Sequence, residues 1–190
     1  MLNKNEWLDE IVQIHQKLTE LRQHYWLHYD LFTFQWWLLL ALLVIPWVVW
    51  WRLVDKKRLK DIVFFGVLMG FLVFLLDLIG CSLNLWEYPY NLIRIIPASL
   101  AFDWGILPVF HMLLFQYFTK WRSYILLNIL VATVFAFLCE PLCVWLGLYK
   151  LLNWAYVYSF PIYIIKAILI KGLFAIIERK QSSVNSEGLR

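Results

Sequence analysis

Five apolar runs, at 32–51, 62–79, 98–118, 124–146 and 154–177, fill most of a chain of 190 residues. A helix needs about 20 predominantly apolar residues to cross the hydrocarbon core of a bilayer. Each run is of that order, and with 63% hydrophobic and 16% charged residues the chain lies far from a soluble domain, which runs near 45–50% and about 25%. The expected fold is all-α: a polytopic membrane protein with a five-helix transmembrane bundle and an N-terminal amphipathic helix. Three segments follow: the amphipathic helix outside the membrane at 1–31, the bundle at 32–178, and a flexible cytoplasmic tail at 179–190.

Lys and Arg placement sets the expected orientation. Arg52, Lys56, Lys57, Arg58, Lys60, Lys120, Arg122, Arg179, Lys180 and Arg190 fall on one side of such a bundle, whereas Lys4, Lys17, Arg22, Arg94 and Lys150 fall on the other. By the positive-inside rule the N-terminus is outside and the C-terminus cytoplasmic in a multi-pass bacterial cell-membrane protein. The first thirty residues carry no cationic start and no short apolar core with a cleavage site, so the first span is expected to do the targeting. The net charge of +4 is accounted for by these flanking cations, and no nucleic-acid partner is expected. Cys81, Cys139 and Cys143 form no CxxC, and no metal-ligand spacing accompanies them, so no metal and no cofactor are expected.

Trp7, Ile11, Ile14, Leu18, Leu21, Tyr25 and His28 follow one another in alternating steps of four and three, an apolar seam on an amphipathic helix. So short a seam suits docking on the bilayer surface or packing within the chain better than a free-standing zipper. Membrane lipids are therefore expected partners. Residues 1–30, or the G-x-x-x-G pair Gly66 and Gly70, are the candidate surfaces for a homo- or hetero-oligomer, although Gly66 and Gly70 read first as internal helix packing and only secondarily as a dimer face. Tryptophans at both ends of the first span read as interfacial anchors. Trp86-x-Tyr88-x-Tyr90 after the second span echoes Trp154-x-Tyr156-x-Tyr158 after the fourth, each preceded by an acid, Asp77 or Glu140. A duplicated helical hairpin explains the echo. The taste of interfaces for Trp and Tyr explains it equally.

Polar groups inside apolar runs carry the functional expectation, because an ionised side chain at mid-bilayer costs about 2.5–3.5 kcal/mol on insertion scales. With a rise of about 1.5 Å per residue, Asp77, Asp103 and Glu140 fall in one layer near the outer end of their runs. The segment 81–97, with Trp86, Glu87, Tyr88 and Arg94, is too polar to span and too apolar to float in water, and is expected to cover the bundle. Asp77, Trp86, Glu87, Tyr88, Arg94, Asp103, Glu140, Trp154 and Tyr156 are the candidate ligand-binding residues, since carboxylates among aromatic faces attract organic cations. Lys166, deep in the fifth run, needs an acid, and an intramembrane ion pair with Glu140 is expected. His111 is a candidate pH-sensitive group.

The run Phe32-Thr-Phe-Gln-Trp-Trp through Pro46-Trp47, with Asp77-x-x-Gly80, Asn84-Leu-Trp86-Glu-Tyr88-Pro, Asp103 with Pro108, Glu140-Pro141 and Ser159-Phe-Pro161-Ile-Tyr163, resembles a family of small polytopic membrane proteins from Gram-positive spore-forming bacteria. The likeness covers most of residues 1–180. That family has no assigned activity, so the resemblance implies plasma-membrane residence and weight on the acid and aromatic positions. No Walker A loop, HExxH helix or GxSxG elbow is present. The leading expectation is non-enzymatic binding of a small ligand or lipid headgroup, for sensing or transport, in an outer-facing acidic and aromatic pocket. One alternative is an intramembrane acid-catalysed lipid or isoprenoid isomerase or cyclase with Glu140 as the proton donor. The acid-plus-proline helix is distantly similar to small bacterial lycopene cyclase domains, but the paired glutamates are absent. A structural or assembly subunit of a membrane complex is the other alternative.

Overall fold

The computed structural model describes residues 3–187. Helix α1, Lys4–Tyr25, starts at a capping box in which the Asn3 side chain accepts from the Glu6 amide and the Glu6 carboxylate accepts from the Asn3 amide. It runs on into a π-helical turn, Trp26–Asp30. No residue of α1 is buried, and Trp7, Ile11, Ile14, Leu18 and Leu21 are all exposed. From Trp7 to Leu18 the apolar seam is exposed throughout, and only its far end, Leu21 and Tyr25, borders the rest of the described chain.

Four stretches are long and apolar enough to cross a membrane: Phe34–Leu53, Lys56–Ser82, Trp121–Trp145 and Tyr156–Gln181. They contain α2 (Phe34–Leu53), α3 (Leu59–Ser82), α5 (Trp121–Val134) continuing through a π turn into α6 (Glu140–Trp145), and α7 (Tyr156–Glu187). The run at 98–118 is shorter than expected. It forms a π-helical turn, Ala101–Ile106, followed by α4, Leu107–Tyr117, which at about 1.5 Å per residue reaches about 25 Å. Its start is set by Ser99, whose amide is taken by Asp77 while its carbonyl accepts the Phe102 and Asp103 amides. The tail at 179–190 also departs from expectation. Arg179, Lys180 and Gln181 are good helix formers, and α7 continues through them to Glu187, while 188–190 lie outside the described residues.

The bundle is apolar on its outer faces, where Val44, Val48, Phe71, Leu126, Leu138, Ile165 and Leu169 are exposed, whereas Asp77, Asp103, His111, Asn128, Glu140, Ser159 and Lys166 are buried. This inversion of the soluble pattern goes with the four long apolar helices: the chain forms a transmembrane helical bundle. At the end carrying the basic loop, Phe65, Met69, Met112, Phe115, Tyr124 and Phe174 form the main core, with Phe65 stacked on Phe115 at 4.3 Å. Lys171 closes this end. Its ammonium donates to the Phe118 and Thr119 carbonyls, each at 3.0 Å, where α4 ends, supplying both hydrogen bonds and positive charge to a helix C-terminus.

Prolines and glycines fix how the helices approach. Pro108 has no N–H for the carbonyl four residues earlier, and Trp47 Nε1 from α2 donates to that Trp104 carbonyl at 2.6 Å. Pro46 likewise leaves Leu42 O free, and Gly105 packs there: a Cβ at 105 would lie 2.6 Å from Leu42 O and 2.9 Å from Leu43 Cα. Gly66 and Gly70 are buried on α3, against Met112 and against Trp104 and Pro108. The close approach these two glycines allow is used inside the chain, by α4 and the turn before it.

At the opposite end, the two long connections meet. β1, Trp86–Glu87, pairs antiparallel with β2, Lys150–Leu151, in the register Trp86↔Leu151 and Glu87↔Lys150. α6 ends at Trp145, and Gly147 follows its C-cap Leu146 with a positive φ of 75°, which suits a glycine after a helix C-terminus. The Leu148 amide then reaches back to Cys143 O, which turns Leu148 and Tyr149 inward. This ribbon roofs the polar layer.

Candidate functional site

Beneath the ribbon lies a cavity of about 410 Å³ whose wall includes Asp77, Asp103, Glu140 and Lys166 together with Trp86, Tyr88, Tyr149 and Tyr163. The remainder is largely apolar, with Leu38, Leu42, Phe102, Leu107, Phe135 and Leu146 among its contributors. The volume falls in the range of about 300–1,000 Å³ common for small-molecule sites.

Two acids are held by matching sets of donors. Asp77 comes from the last turns of α3. Its Oδ1 accepts from Trp86 Nε1 and Tyr88 OH, both at 2.7 Å, and its Oδ2 from the Ser99 amide at 3.1 Å. Trp86 can reach it because Gly80, one helical turn beyond Asp77 on the same face, has no side chain. The indole lies on the space a Cβ there would take. Glu140, at the start of α6, accepts from Tyr163 OH at 2.7 Å and from Ser159 Oγ at 3.0 Å, while Trp154 Nε1 donates to the same Ser159 oxygen at 3.0 Å. Trp86 and Trp154 meet edge to face at 5.1 Å, so the two clusters touch beneath the ribbon. Each carboxylate thus takes hydrogen bonds on both of its oxygens, the arrangement that suits a buried acceptor.

The echo between the two connections is thus half structural. Both tryptophans serve an acid, directly in one case and through Ser159 in the other. The tyrosines are not equivalent: Tyr88 bonds to Asp77, whereas Glu140 takes Tyr163 from α7 in place of Tyr156 or Tyr158.

Asp103 and Lys166 differ from the held acids. Asp103 interacts with Asp77, yet its buried Oδ2 has no hydrogen-bond partner among the described residues. Lys166 is buried, with its ammonium 4.2 Å from the centre of the Tyr163 ring. Tyr163 bridges Glu140 and Lys166, expected to pair, giving its hydroxyl to the acid and its ring face to the ammonium, while the two charges also act on each other electrostatically. His111 stands apart from this wall: it is buried, and its Nδ1 is 2.7 Å from the Leu107 carbonyl one turn back, so the ring nitrogen there is the protonated donor.

The remaining candidates separate. Glu87 and Arg94 belong to a second cavity of about 510 Å³ between the end of α1 and segment 87–97, with Tyr88 contributing to both cavities. Trp154 supports the first cavity from behind through Ser159, and Tyr156 starts α7 without entering either wall. Ser99 and Asp30 escaped the sequence reading as site residues. Asp30 is buried after the π turn and accepts from the Asn91 amide. Burial raises its carboxyl from the ordinary 3.8 to about 6, against a lowering by that hydrogen bond, and burial also raises Glu87, with Arg22 opposing. Among the described residues no group of three or more His, Cys, Asp or Glu could hold a metal ion. Compared with protein-family models, curated proteins and solved structures, the chain matches none.

Proposed function

We propose that the chain is a five-span protein of the bacterial plasma membrane, N-terminus outside and C-terminus cytoplasmic, that binds a small amphiphile in the cavity beneath the ribbon. Under this reading the 101–117 helix is the fifth span, shortened at the end where the connections enter. The orientation rests on the Lys and Arg of the loop 52–60. The observation that carries the reading is the make-up of one wall: three carboxyls and an ammonium set in an otherwise apolar cavity. Such a surface suits a ligand with a hydrocarbon body and one polar end. Asp77 and Glu140, already supplied with donors, shape the polar pole, while Asp103 Oδ2 and Lys166 Nζ hold capacity for the ligand. Sensing or carriage of that ligand is the corresponding role. The resemblance to small membrane proteins of Gram-positive spore-formers agrees with this placement.

One feature favours a catalytic variant of the same reading. The chain Trp154–Ser159–Glu140–Tyr163 ends on the cavity wall, where a carboxylic acid in an apolar setting can protonate an alkene of a bound isoprenoid. A single experiment separates the readings. Delipidated protein is unfolded thermally with and without lipid extract from its own cells, and the extract is analysed before and after incubation. Binding raises the Tm of the wild type but not of Asp103→Asn, which still folds, and leaves the lipid unaltered. Catalysis changes the lipid, and Glu140→Gln stops the change. No Tm gain in the wild type refutes both.

A further inference from the structure

The second cavity lies outside the spans, between the end of α1, the π turn and segment 87–97. Its wall is built, not loose: Trp26 Nε1 donates to Asn91 O at 2.9 Å and the Asn91 amide donates to Asp30 Oδ2 at 3.1 Å, which ties the π turn to the segment. The charges in this wall do not cancel locally. Glu87 faces Lys150 across the ribbon and feels Arg22 as its main favourable charge. Arg94 Nη1 and Asp30 Oδ1, by contrast, are buried without a hydrogen-bond partner among the described residues, and both residues line this one cavity. A buried donor of a charged group and a buried acceptor of an opposite charge, both left open, cost free energy that native structures avoid.

A single negative ligand answers only one of these atoms, and a single positive ligand only the other. A ligand carrying both charges answers both. We propose that this cavity binds a zwitterion made of a phosphate ester and a primary ammonium, with the phosphate on Arg94 and the ammonium on Asp30. Guanidinium suits phosphate through parallel N–H donors, and Arg22 and Lys150 in the same wall add positive charge. The ammonium is met by the Asp30 carboxylate, and the aromatic rings of Tyr25 and Tyr29, residues of the same wall, suit a cation. An ethanolamine phosphate headgroup has this chemistry, as does its water-soluble glycerol ester. This site is separate from the amphiphile cavity and does not depend on the function proposed for it.

The test is calorimetric titration of the full-length chain in nanodiscs of phosphatidylcholine. Four probes are used: dihexanoyl phosphatidylethanolamine, dihexanoyl phosphatidylglycerol, glycerophosphoethanolamine and inorganic phosphate. The ethanolamine lipid is expected to bind about tenfold or more tightly than the glycerol lipid, the scale of one charge-assisted hydrogen bond. Arg94→Gln weakens both lipids by about tenfold, and Arg94→Lys restores part of the loss. Asp30→Asn equalises the two lipids. Arg22→Gln, on the accessible face of α1, weakens both modestly and covers the case in which an Arg94 variant does not fold. Neither Asp30 nor Arg94 lines the first cavity, so a lipid preference that responds to Asp30→Asn and Arg94→Gln is distinguishable from binding there. Comparable binding of glycerophosphoethanolamine assigns the zwitterion to a soluble ligand, and binding of the lipid alone assigns it to a headgroup; both support the proposal. Equal affinity for the two lipids in the wild type, inorganic phosphate binding as tightly as either, or binding indifferent to both Arg94→Gln and Arg22→Gln overturns it.

Discussion

Replacing Gly80 by alanine sets two effects of opposite sign against each other. In a helix interior the change is worth about 1 kcal/mol in favour of alanine. At this position, however, the new Cβ falls within the Trp86 indole, 2.6 Å from Cε2 and nearer still to two other ring atoms. The ring has little freedom to retreat, being held by Asp77 at 2.7 Å and packed on Trp154 at 5.1 Å. Overpacking of this kind costs about 1–3 kcal/mol, and the lost hydrogen bond to a buried carboxyl about 1.5–3 kcal/mol. The net expectation is destabilisation by about 1.5–5 kcal/mol. Thermal or denaturant unfolding in a mild detergent, followed by tryptophan fluorescence, reads it directly. Making the same change in a Trp86→Phe background separates the causes: the smaller ring relieves the clash and has no N–H to lose, so Gly80→Ala becomes neutral or stabilising there. A single variant about 1 kcal/mol more stable than the wild type, or a cycle with no coupling between positions 80 and 86, refutes the idea that Gly80 exists to seat Trp86.

Gly105→Ala directs a methyl at the α2 backbone instead of a side chain, so the loss is expected at the upper end of the overpacking range, about 3 kcal/mol; unfolding as stable as the wild type contradicts that close approach. Lys171→Met keeps the stem but removes the donors to Phe118 O and Thr119 O, with an expected cost of about 1–3 kcal/mol and faster amide exchange in the last turn of α4. Asp30 gives a pH dependence. Because its carboxyl is raised to about 6 when folded from 3.8, the folded state binds the proton more tightly, so its contribution is full below about pH 4 and is lost as pH rises through about 6. The Tm difference between wild type and Asp30→Asn should therefore shrink or reverse against the wild type from pH 4 to 7, and a difference flat across that window counts against the assignment. Tyr163→Phe removes the donor to Glu140 but keeps the ring beneath Lys166, so it should destabilise by about 1–3 kcal/mol; a loss as small as that of an exposed tyrosine contradicts the relay.

Periodicity and hydropathy made the long helices legible, because lipid forces each apolar run to satisfy its own backbone. A shared depth for Asp77, Asp103 and Glu140 was legible for the same reason, whereas Lys166 read as deeper in its run and reaches the same cavity wall. What remained hidden depends on contacts between distant segments. Tyr163 sits one turn from Ser159 on α7, and only the packing of α7 against the π turn before α6 brings both to Glu140; an acid–lysine pair is the simpler inference from charge alone. The ribbon joining Trp86 to Leu151 involves two residues from each strand, too few for any alternation to register. Gly105 carried a signal in Pro46, whose missing N–H frees the carbonyl on which it packs, but the match requires knowing that α2 crosses there. Asp30 reads as an ordinary acid at the end of a polar helix until Asn91 is seen beside it.

The central claim, that the cavity walled by Asp77, Asp103, Glu140 and Lys166 holds a ligand, is tested most directly by native mass spectrometry of gently solubilised wild type beside Glu140→Gln and Asp103→Asn. The account expects a discrete adduct on the wild type, of a mass that a cavity of about 410 Å³ can take, and its loss from both variants while they remain folded. A wild type that is bare, or that carries the same adducts as the two variants, contradicts it and leaves the buried charges as joints between helices.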